Sequence, residues 1–390
     1  MLQVLLNEII RSRGGGGSVN CRRPRICVLT ARGFSHNAFM SGAYEAQDIL
    51  LETDDADLIY LKSGRAFQLR QSTHARLVWH DFTRTLVFAN MAFEPVRITK
   101  EYDLLVAYVF HIDNLLQINA VRGWKDHCKT SICWIDEMYA ASIPKLTYWL
   151  PALNQFDHIV LGASGTVAAL AEAIKRPCHW LPCGVDAIRF SPSPHPADRV
   201  IDVYSMGRRS EGLHRALLEL AAKRGVFYLY DTFETSLTNI SDYRQHRDML
   251  ANIMKRSRYF LVAPGKGGLS EATGNQIELG FRYYEGAAAG TVMLGQIPSC
   301  ETFNTMFNWQ DAVVEIHADG SDVADVISML SSQPERLTEI SRRNAVEALL
   351  RHDWSYRWKK ILDIAGIEPA PQSEIRENRL KQLAEQVGNG

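Results

Sequence analysis

Long apolar runs are missing from this 390-residue sequence, and none approaches the roughly 20 residues that a membrane-spanning helix requires. An excess of either charge is missing too. Lys plus Arg number 43 and Asp plus Glu 44, giving a formal net charge of -1, so the basic surplus of a nucleic-acid binder is absent and no nucleic-acid partner is expected. Cysteine is sparse and unpaired in pattern: Cys21, Cys27, Cys128, Cys133, Cys178, Cys183 and Cys300 are odd in number and scattered, unlike a disulfide framework. They read as reduced thiols. With no secretory signal ahead of the first strand, the chain is expected in the cytoplasm, touching a membrane at most peripherally from the inside. Cys178, His179 and Cys183 lack a second ligand pair at zinc spacing, so no metal is expected there. The loop Pro264-Gly265-Lys266-Gly267-Gly268 lacks the Gly-Lys-Ser/Thr ending of a P-loop, which excludes a phosphate-transferring ATPase of that kind.

What is present is enough apolar material, 46% of the residues, for two packed interiors in a chain too long for one core of ordinary size. Residues 1–22 read as an N-terminal extension, a short helix over Met1 to Arg13 followed by the Gly14–Ser18 linker, and are set outside the fold. Residues 23–190 read as a first α/β domain. Its strand signals are the runs Arg25–Ala31, Leu58–Leu61, Tyr102–His111, Ser131–Asp136 and Phe156–Gly162, apolar at their centres as inner strands of a parallel sheet are. The stretches Ala75 to Asp81 and Thr83 to Ala89 fit strands, or a strand and a helix. Asp55 and Asp57 have an Asp-x-Asp spacing, yet they precede a strand where a ligand site should follow one, and read as a solvated turn. The Pro-rich Ser191–Pro196 suits a linker. Residues 191–350 read as a second α/β domain, and 351–390 as an amphipathic helix beginning at Trp354 with a polar tail carrying one surface helix.

The most informative stretch runs from Asn275 to Gly295. A helix that tightens into Gly286-Ala287-Ala288-Ala289, ends at Gly290 and feeds an apolar strand is half of a βαβ unit. Arg282 and Glu285 fall three apart and share a face. The planar fork of an Arg suits a diphosphate, and a carboxylate suits a pair of ribose hydroxyls, so together they would read a nucleotide. The plainer alternative is an amphipathic helix with a surface Arg-Glu pair.

Tyr284 to Leu294 resembles the donor-binding helix and strand of the group 1 glycosyltransferases with the two-domain GT-B fold, especially their CgeB-like branch. Two further stretches are similar. Pro182-Cys183-Gly184-Val185-Asp186, followed by Phe190-Ser191-Pro192, resembles the family's Pro-Asn-Gly-Val-Asp and Phe-x-Pro, with Cys183 where Asn is usual. Gly207-Arg208 resembles the Gly-Arg after the first strand of the donor domain, but Glu211-Gly212 stands where Lys-Gly is common, leaving Arg209, Arg215 or Lys266 to supply the charge. The family's earlier Glu is also displaced: its place holds Ile277, with Glu278 one step along.

The resemblance implies an α/β chain of GT-B architecture, two Rossmann-like domains with parallel sheets facing a cleft. It implies a hexosyltransferase-like enzyme that moves a sugar from a nucleotide-diphosphate donor, such as a UDP-sugar, to a glycan, lipid-linked or small-molecule acceptor. Transfer would retain configuration, without a metal or other cofactor. The implied donor-site residues are Gly207, Arg208, Arg209, Lys266, Arg282, Glu285 and Gly286. In the first domain, Asp103 and His111 flank a strand as in the family's acceptor domain, so that His111 would line the cleft; by residue type alone it serves equally as a cap for the helix that follows. Asp136 and Glu137 at a strand end suit acceptor hydroxyls or a helix cap. The rival readings are a nucleotide-sugar epimerase or hydrolase on the same fold, and a catalytically silent nucleotide-sugar-binding or scaffold protein.

Overall fold

A computed structural model describes residues 23–63, 93–146, 150–232, 239–266 and 273–389. The expected N-terminal helix and linker and the stretches Ala75 to Asp81 and Thr83 to Ala89 lie outside the described residues.

The apolar runs form two parallel sheets. The first contains β1 (Ile26–Thr30), β2 (Ala56–Tyr60), β4 (Tyr102–His111), β6 (Cys128–Glu137), β7 (His158–Leu161) and β8 (Cys178–Trp180) in the order β2-β1-β4-β6-β7-β8; β3 (Val96–Arg97) and β5 (Val121–Arg122) make a separate small parallel ladder. The second contains β9 (Ile201–Ser205), β10 (Tyr228–Tyr230), β11 (Ser257–Val262), β12 (Val292–Gly295) and β13 (Val314–Glu315) in the order β10-β9-β11-β12-β13. Every pairing is parallel. Both sheets reverse strand order near their first strand, and in open α/β sheets ligands bind beyond the carboxyl ends of the strands at such a reversal.

The longer helices are α1 (Ser41–Thr53), α2 (Val167–Ile174), α3 (Glu211–Arg224), α4 (Tyr243–Lys255), α5 (Phe281–Ala288), α6 (Val323–Ser331), α7 (Pro334–Arg351), α8 (Trp354–Ile364) and α9 (Pro371–Asn389). Ser210 caps α3 by accepting from the Leu213 N–H, and Gly225 closes it in the left-handed conformation. α5 is shorter than the sequence pattern from Asn275 suggests. Gly274 and Asn275 both have positive φ, and the backbone from 275 to 280 stays irregular because Gln276 and Glu278 reach across to the first sheet's loops. Its exit follows expectation, with Gly290 at φ 62°.

The chain passes between the sheets twice, and the two crossings lie side by side. Val185 donates its N–H to the His352 carbonyl at 3.0 Å, and Trp354 donates to the Val185 carbonyl at 3.1 Å. Asp353 caps α8, whose Trp354 and Trp358 are buried in the core of the first sheet, 0% and 2% exposed.

The tail is the clearest departure from the sequence reading. α9 is no surface helix: Leu380, Leu383 and Ala384 are buried in the second sheet's core, and Arg376 is buried between Asp186 and Asp353 at 2.7 and 2.9 Å, with Glu52 of α1 at 2.9 Å. The polar residues that made it read as tail are those on its outer face. Arg376→Met is expected to cost about 3–5 kcal/mol in urea unfolding, since it strands two buried carboxylates. An unchanged midpoint and slope would mean that α9 is an appendage.

Candidate functional site

The carboxyl edge of the second sheet begins where β9 ends. The chain turns at Gly207, whose φ of 71° would strain any residue with a side chain, and a Cβ there would also displace the Arg282 guanidinium. The Gly207 N–H donates to the Asp231 carboxylate. Arg282, in the first turn of α5, donates to the Arg208 carbonyl at 3.2 Å. Burial holds its guanidinium below the ordinary Arg range, against the opposing pull of Glu285 and Asp231. Arg208 itself is exposed. The Gly-Arg turn and Arg282 are thus one unit on the cleft edge.

Three of the residues read from sequence stand elsewhere. Arg209 is tied down, donating to the Asp231 carboxylate at 3.1 Å and its carbonyl at 2.9 Å while lying over the Tyr230 ring. Gly286 faces the sheet, where a Cβ would meet Met293 Sδ at 2.8 Å and Phe260 at 3.0 Å, so it sets the helix-to-sheet distance. Glu285 is only 3% exposed. One of its oxygens accepts from Arg247, and the other is closed to solvent without a hydrogen-bond partner among the described residues, so the expected ribose contact is not open in this arrangement.

The reason lies in α4, which the sequence reading passed over. Arg247 is buried and also donates twice, at 2.9 Å each, to Glu45 of α1. A signal for it exists: Arg247, Leu250, Ala251 and Met254 follow helical spacing and are all buried, so the Arg stands on the apolar stripe.

Lys266, in the loop after β11, crosses to the first sheet, with its ammonium 2.8 Å from Glu137 Oε1 and 5.0 Å from the centre of the Tyr139 ring. Burial, together with Glu137 and Glu278, raises the Tyr139 phenol's pKa, and Arg208 opposes this. These groups therefore gather in one place. Nearby, Gln276 donates to Thr166 at 3.0 Å and accepts from the Ala140 N–H at 3.0 Å, and Glu278 accepts from the Gly165 N–H at 3.1 Å. The Thr302 hydroxyl donates to Ser164 Oγ at 3.2 Å.

On the first sheet, His111 is the last residue of β4, in register with Glu137, and a 3-10 helix, Ile112–Ala120, follows; the His111 side chain lies outside the described residues. Asp136 accepts from the Tyr108 hydroxyl at 2.6 Å, and burial raises its pKa to about 7, with the Tyr108 bond lowering it and Glu137 adding to the rise. Asp54 pairs with Arg25, while Asp57 accepts from Tyr102 and Lys100, so the Asp-x-Asp neighbourhood is a set of ion pairs at the amino-terminal edge.

A cavity of about 580 Å³ lies beyond the ends of β11, β12 and β13, lined by Pro264, Ile277, Gln296 to Ser299 and Glu315 to Asp319. A larger one, about 650 Å³, lies at the amino edge of the first sheet around Arg25, Asp55, Tyr102 and Lys129, the wrong end of a sheet for a ligand in this class of fold.

Two parallel sheets with helices on their faces and a cleft between their carboxyl edges define the GT-B class of fold. Residues 209–363 match the family model described as Glycosyl transferase-like, and the enzyme class is that of the glycosyltransferases. Among solved structures, the chain is similar to trehalose-6-phosphate synthase, OtsA, with a TM-score of 0.55 at 12% identity over 89% of this chain and 100% of that one. It is similar to the N-terminal domain of trehalose-6-phosphate phosphatase from Candida albicans, with a TM-score of 0.55 at 9% identity over 90% and 98%. It is also similar to an alpha-glucosyltransferase in complex with UDP and DNA, with a TM-score of 0.50 at 12% identity over 88% and 99%. At such identities the likeness concerns the fold. No curated protein matches the sequence. Among the described residues, no helix is long and apolar enough to cross a membrane.

Two outcomes follow from the buried carboxyls. Glu285→Gln is expected to cost a few kcal/mol of stability, because it removes one partner of a buried pair, while nucleotide affinity in the folded variant changes little. Lost affinity at unchanged stability would restore the ribose contact. For Asp136, a folded-state pKa raised above the unfolded value means that the folded protein holds the extra proton between about pH 4 and 7. Its contribution is therefore present at low pH and lost as pH rises through 7. Relative to wild type, Asp136→Asn should gain a few kcal/mol between pH 5 and pH 8, read from denaturation at both values; a pH-independent difference would refute the shift.

Proposed function

We propose that the protein transfers a sugar from a nucleoside diphosphate donor, bound at the carboxyl edge of the second sheet, to an acceptor hydroxyl presented from the first. The observation that carries this is the packing of Arg282 on the Gly207-Arg208 turn, which fixes positive charge at the cleft edge of the second sheet, beyond which the 580 Å³ cavity also opens. In this reading the base occupies the cavity, against the partly exposed apolar side chains of Ile277 and Ile297. The diphosphate meets Arg208, Arg282 and Lys266. Fixed cations at that point stabilise the leaving group as its charge develops, the role that a divalent ion fills elsewhere. Transfer with retention then runs by front-side attack: the bond from the sugar carbon to phosphate oxygen breaks, the acceptor oxygen bonds the same face, and the departing phosphate takes the acceptor proton. His111, at the cleft end of β4, is assigned to orient the transferred sugar. The acceptor is a saccharide, a lipid-linked carrier or a small molecule.

The test is a panel of nucleotide sugars, UDP-sugars first, read by thermal shift, since a ligand that binds only the folded state raises stability. Acceptors are then screened with the donor that binds. Donor consumption with no acceptor present would favour a hydrolase or epimerase, and binding without turnover across the acceptors would favour a silent binding protein. Arg282→Ala is expected to lower turnover by more than it weakens donor binding, with chelators leaving activity intact. Strict dependence on a divalent ion would overturn the fixed-charge account.

A further inference from the structure

The local sequence gives His179 no partner at zinc spacing, but the fold supplies one from the neighbouring strand. His158 opens β7, and His179 is the middle residue of β8, the short strand at the edge of the first sheet. Val160 is in register with His179, so His158, two residues before Val160, falls on the same face of the ladder. There His158 Nδ1 comes within 3.2 Å of His179 Nε2. Cys178 and Trp180, one step to either side, point to the other face, which leaves the Cys178 thiol out of the pair. Both imidazoles are partly exposed, so an ion can reach them from solvent. An imidazole nitrogen binds zinc at about 2.0–2.1 Å, and two such nitrogens at the observed separation subtend about 100–105° at the ion, close to the tetrahedral angle. A hydrogen bond from one ring to the other would also join them, but the separation is at the long limit for one. Burial, then His158 and Lys360, lowers the pKa of His179, which favours the neutral ring that ligates; Lys360 is itself paired with Asp363 at 2.5 Å.

We propose that His158 Nδ1 and His179 Nε2 chelate one divalent transition ion of the class that imidazole prefers, such as zinc, nickel or copper, with water in its remaining positions. Magnesium and calcium, which prefer oxygen ligands, do not suit the pair. The ion ties the edge strand β8 to β7. From β8 the chain runs straight into the crossing at Val185, whose backbone pairs with His352 and Trp354, so the tie braces the first sheet where the chain leaves it. His158 stands at the amino-terminal start of its strand, whereas the cleft lies beyond the carboxyl ends. The site is therefore separate from the donor's, and the inference does not rest on the donor reading.

The test uses the full chain, stripped of metal by a chelator, with zinc ion alone as the probe and magnesium as the control, on wild type, H158N, H179N and the double variant. Calorimetry should show zinc binding that each single variant weakens about a hundredfold, the advantage of engaging the second ligand intramolecularly, while the double variant loses little more. Zinc should raise the thermal midpoint of wild type and not of the variants, and magnesium should raise neither. In wild type with isotope-labelled imidazoles, zinc should move the nitrogen resonances of both rings together, a readout that holds even where a variant fails to fold. Unchanged zinc affinity in both single variants overturns the chelate, as does a shift confined to one ring. Zinc held only through thiols, seen as binding that thiol blocking abolishes while both rings stay unmoved, overturns it too.

Discussion

The carboxylate of Glu45 is the point on which the arrangement of the two sheets depends. It is fully buried on α1, and it accepts from Arg247 twice, from Arg189 at 3.1 Å, from the Asp186 N–H at 2.9 Å and from the Trp354 indole at 3.2 Å. Those donors come from α4, from both crossings of the chain and from the first turn of α8. A carboxylate so far from water is tolerable only when its lone pairs are filled, and removing one partner of such a pair is far more damaging than replacing the whole set by apolar groups. Arg376 builds a second ring beside it, through Asp186 and Asp353. The carboxylates of Glu45, Glu285, Asp186 and Asp353 share the guanidinium groups of Arg247, Arg189 and Arg376. The Asp186 carboxyl accordingly sits above its ordinary range, pushed first by burial and then by Glu45 and Asp353 against the pull of Arg376.

This places the strong contacts between sheets behind the cleft and the weak ones across it. Behind lie the Glu45 and Arg376 networks and the paired backbone bonds of Val185 with His352 and Trp354. In front lie the partly exposed Lys266–Glu137 pair, the Gln276 bonds to Thr166 and Ala140, and the bond from the Gly165 N–H to Glu278. Partly exposed pairs and single hydrogen bonds contribute a fraction of what a buried, multiply bonded charged network does. A separation of the sheets would begin at the front and turn about the back, an arrangement that suits the proposed transfer between two substrates.

Much of this was legible in the sequence, and its failures share a cause. The parallel strands announced themselves because strands covered on both faces are apolar throughout, and Gly207, Gly290 and the Pro-rich linker carry backbone requirements that few other residues meet. The misreadings concern charged residues whose partners are distant in sequence. Arg376 looks like tail because its carboxylates lie at 52, 186 and 353, and Arg247 keeps helical step with Leu250, Ala251 and Met254, a spacing from which its carboxylate partners cannot be read. Arg209 and Glu285 were assigned to a ligand because they stand in a recognisable pattern, yet each has a protein partner, Asp231 and Arg247, that no local spacing reveals. Local pattern finds a charge; only the fold says which opposite charge it meets.

The displaced acid in the stretch before α5 shows the same rule acting on a single position. The family pattern puts a carboxylate where this chain has Ile277, and Glu278 one residue later invites the idea that it serves instead. In an irregular segment a shift of one residue does not preserve direction, and here the two side chains part company. Ile277 is 41% exposed and lines the 580 Å³ cavity, whereas Glu278 is 6% exposed. Both oxygens of Glu278 are engaged, one by the Gly165 N–H and the Gln276 amide, the other by the Thr302 hydroxyl at 3.2 Å. Freeing it for a ligand would strip the Gly165 N–H of its partner and break a link between the sheets, so Glu278 cannot stand in without opening the cleft it helps to close. The cavity wall is apolar where the family pattern has an acid. In the proposed reading, discrimination among donors at this wall comes from shape and from the polar groups of Gln296 to Ser299 and Glu315 to Asp319, and not from a carboxylate at position 277 or 278.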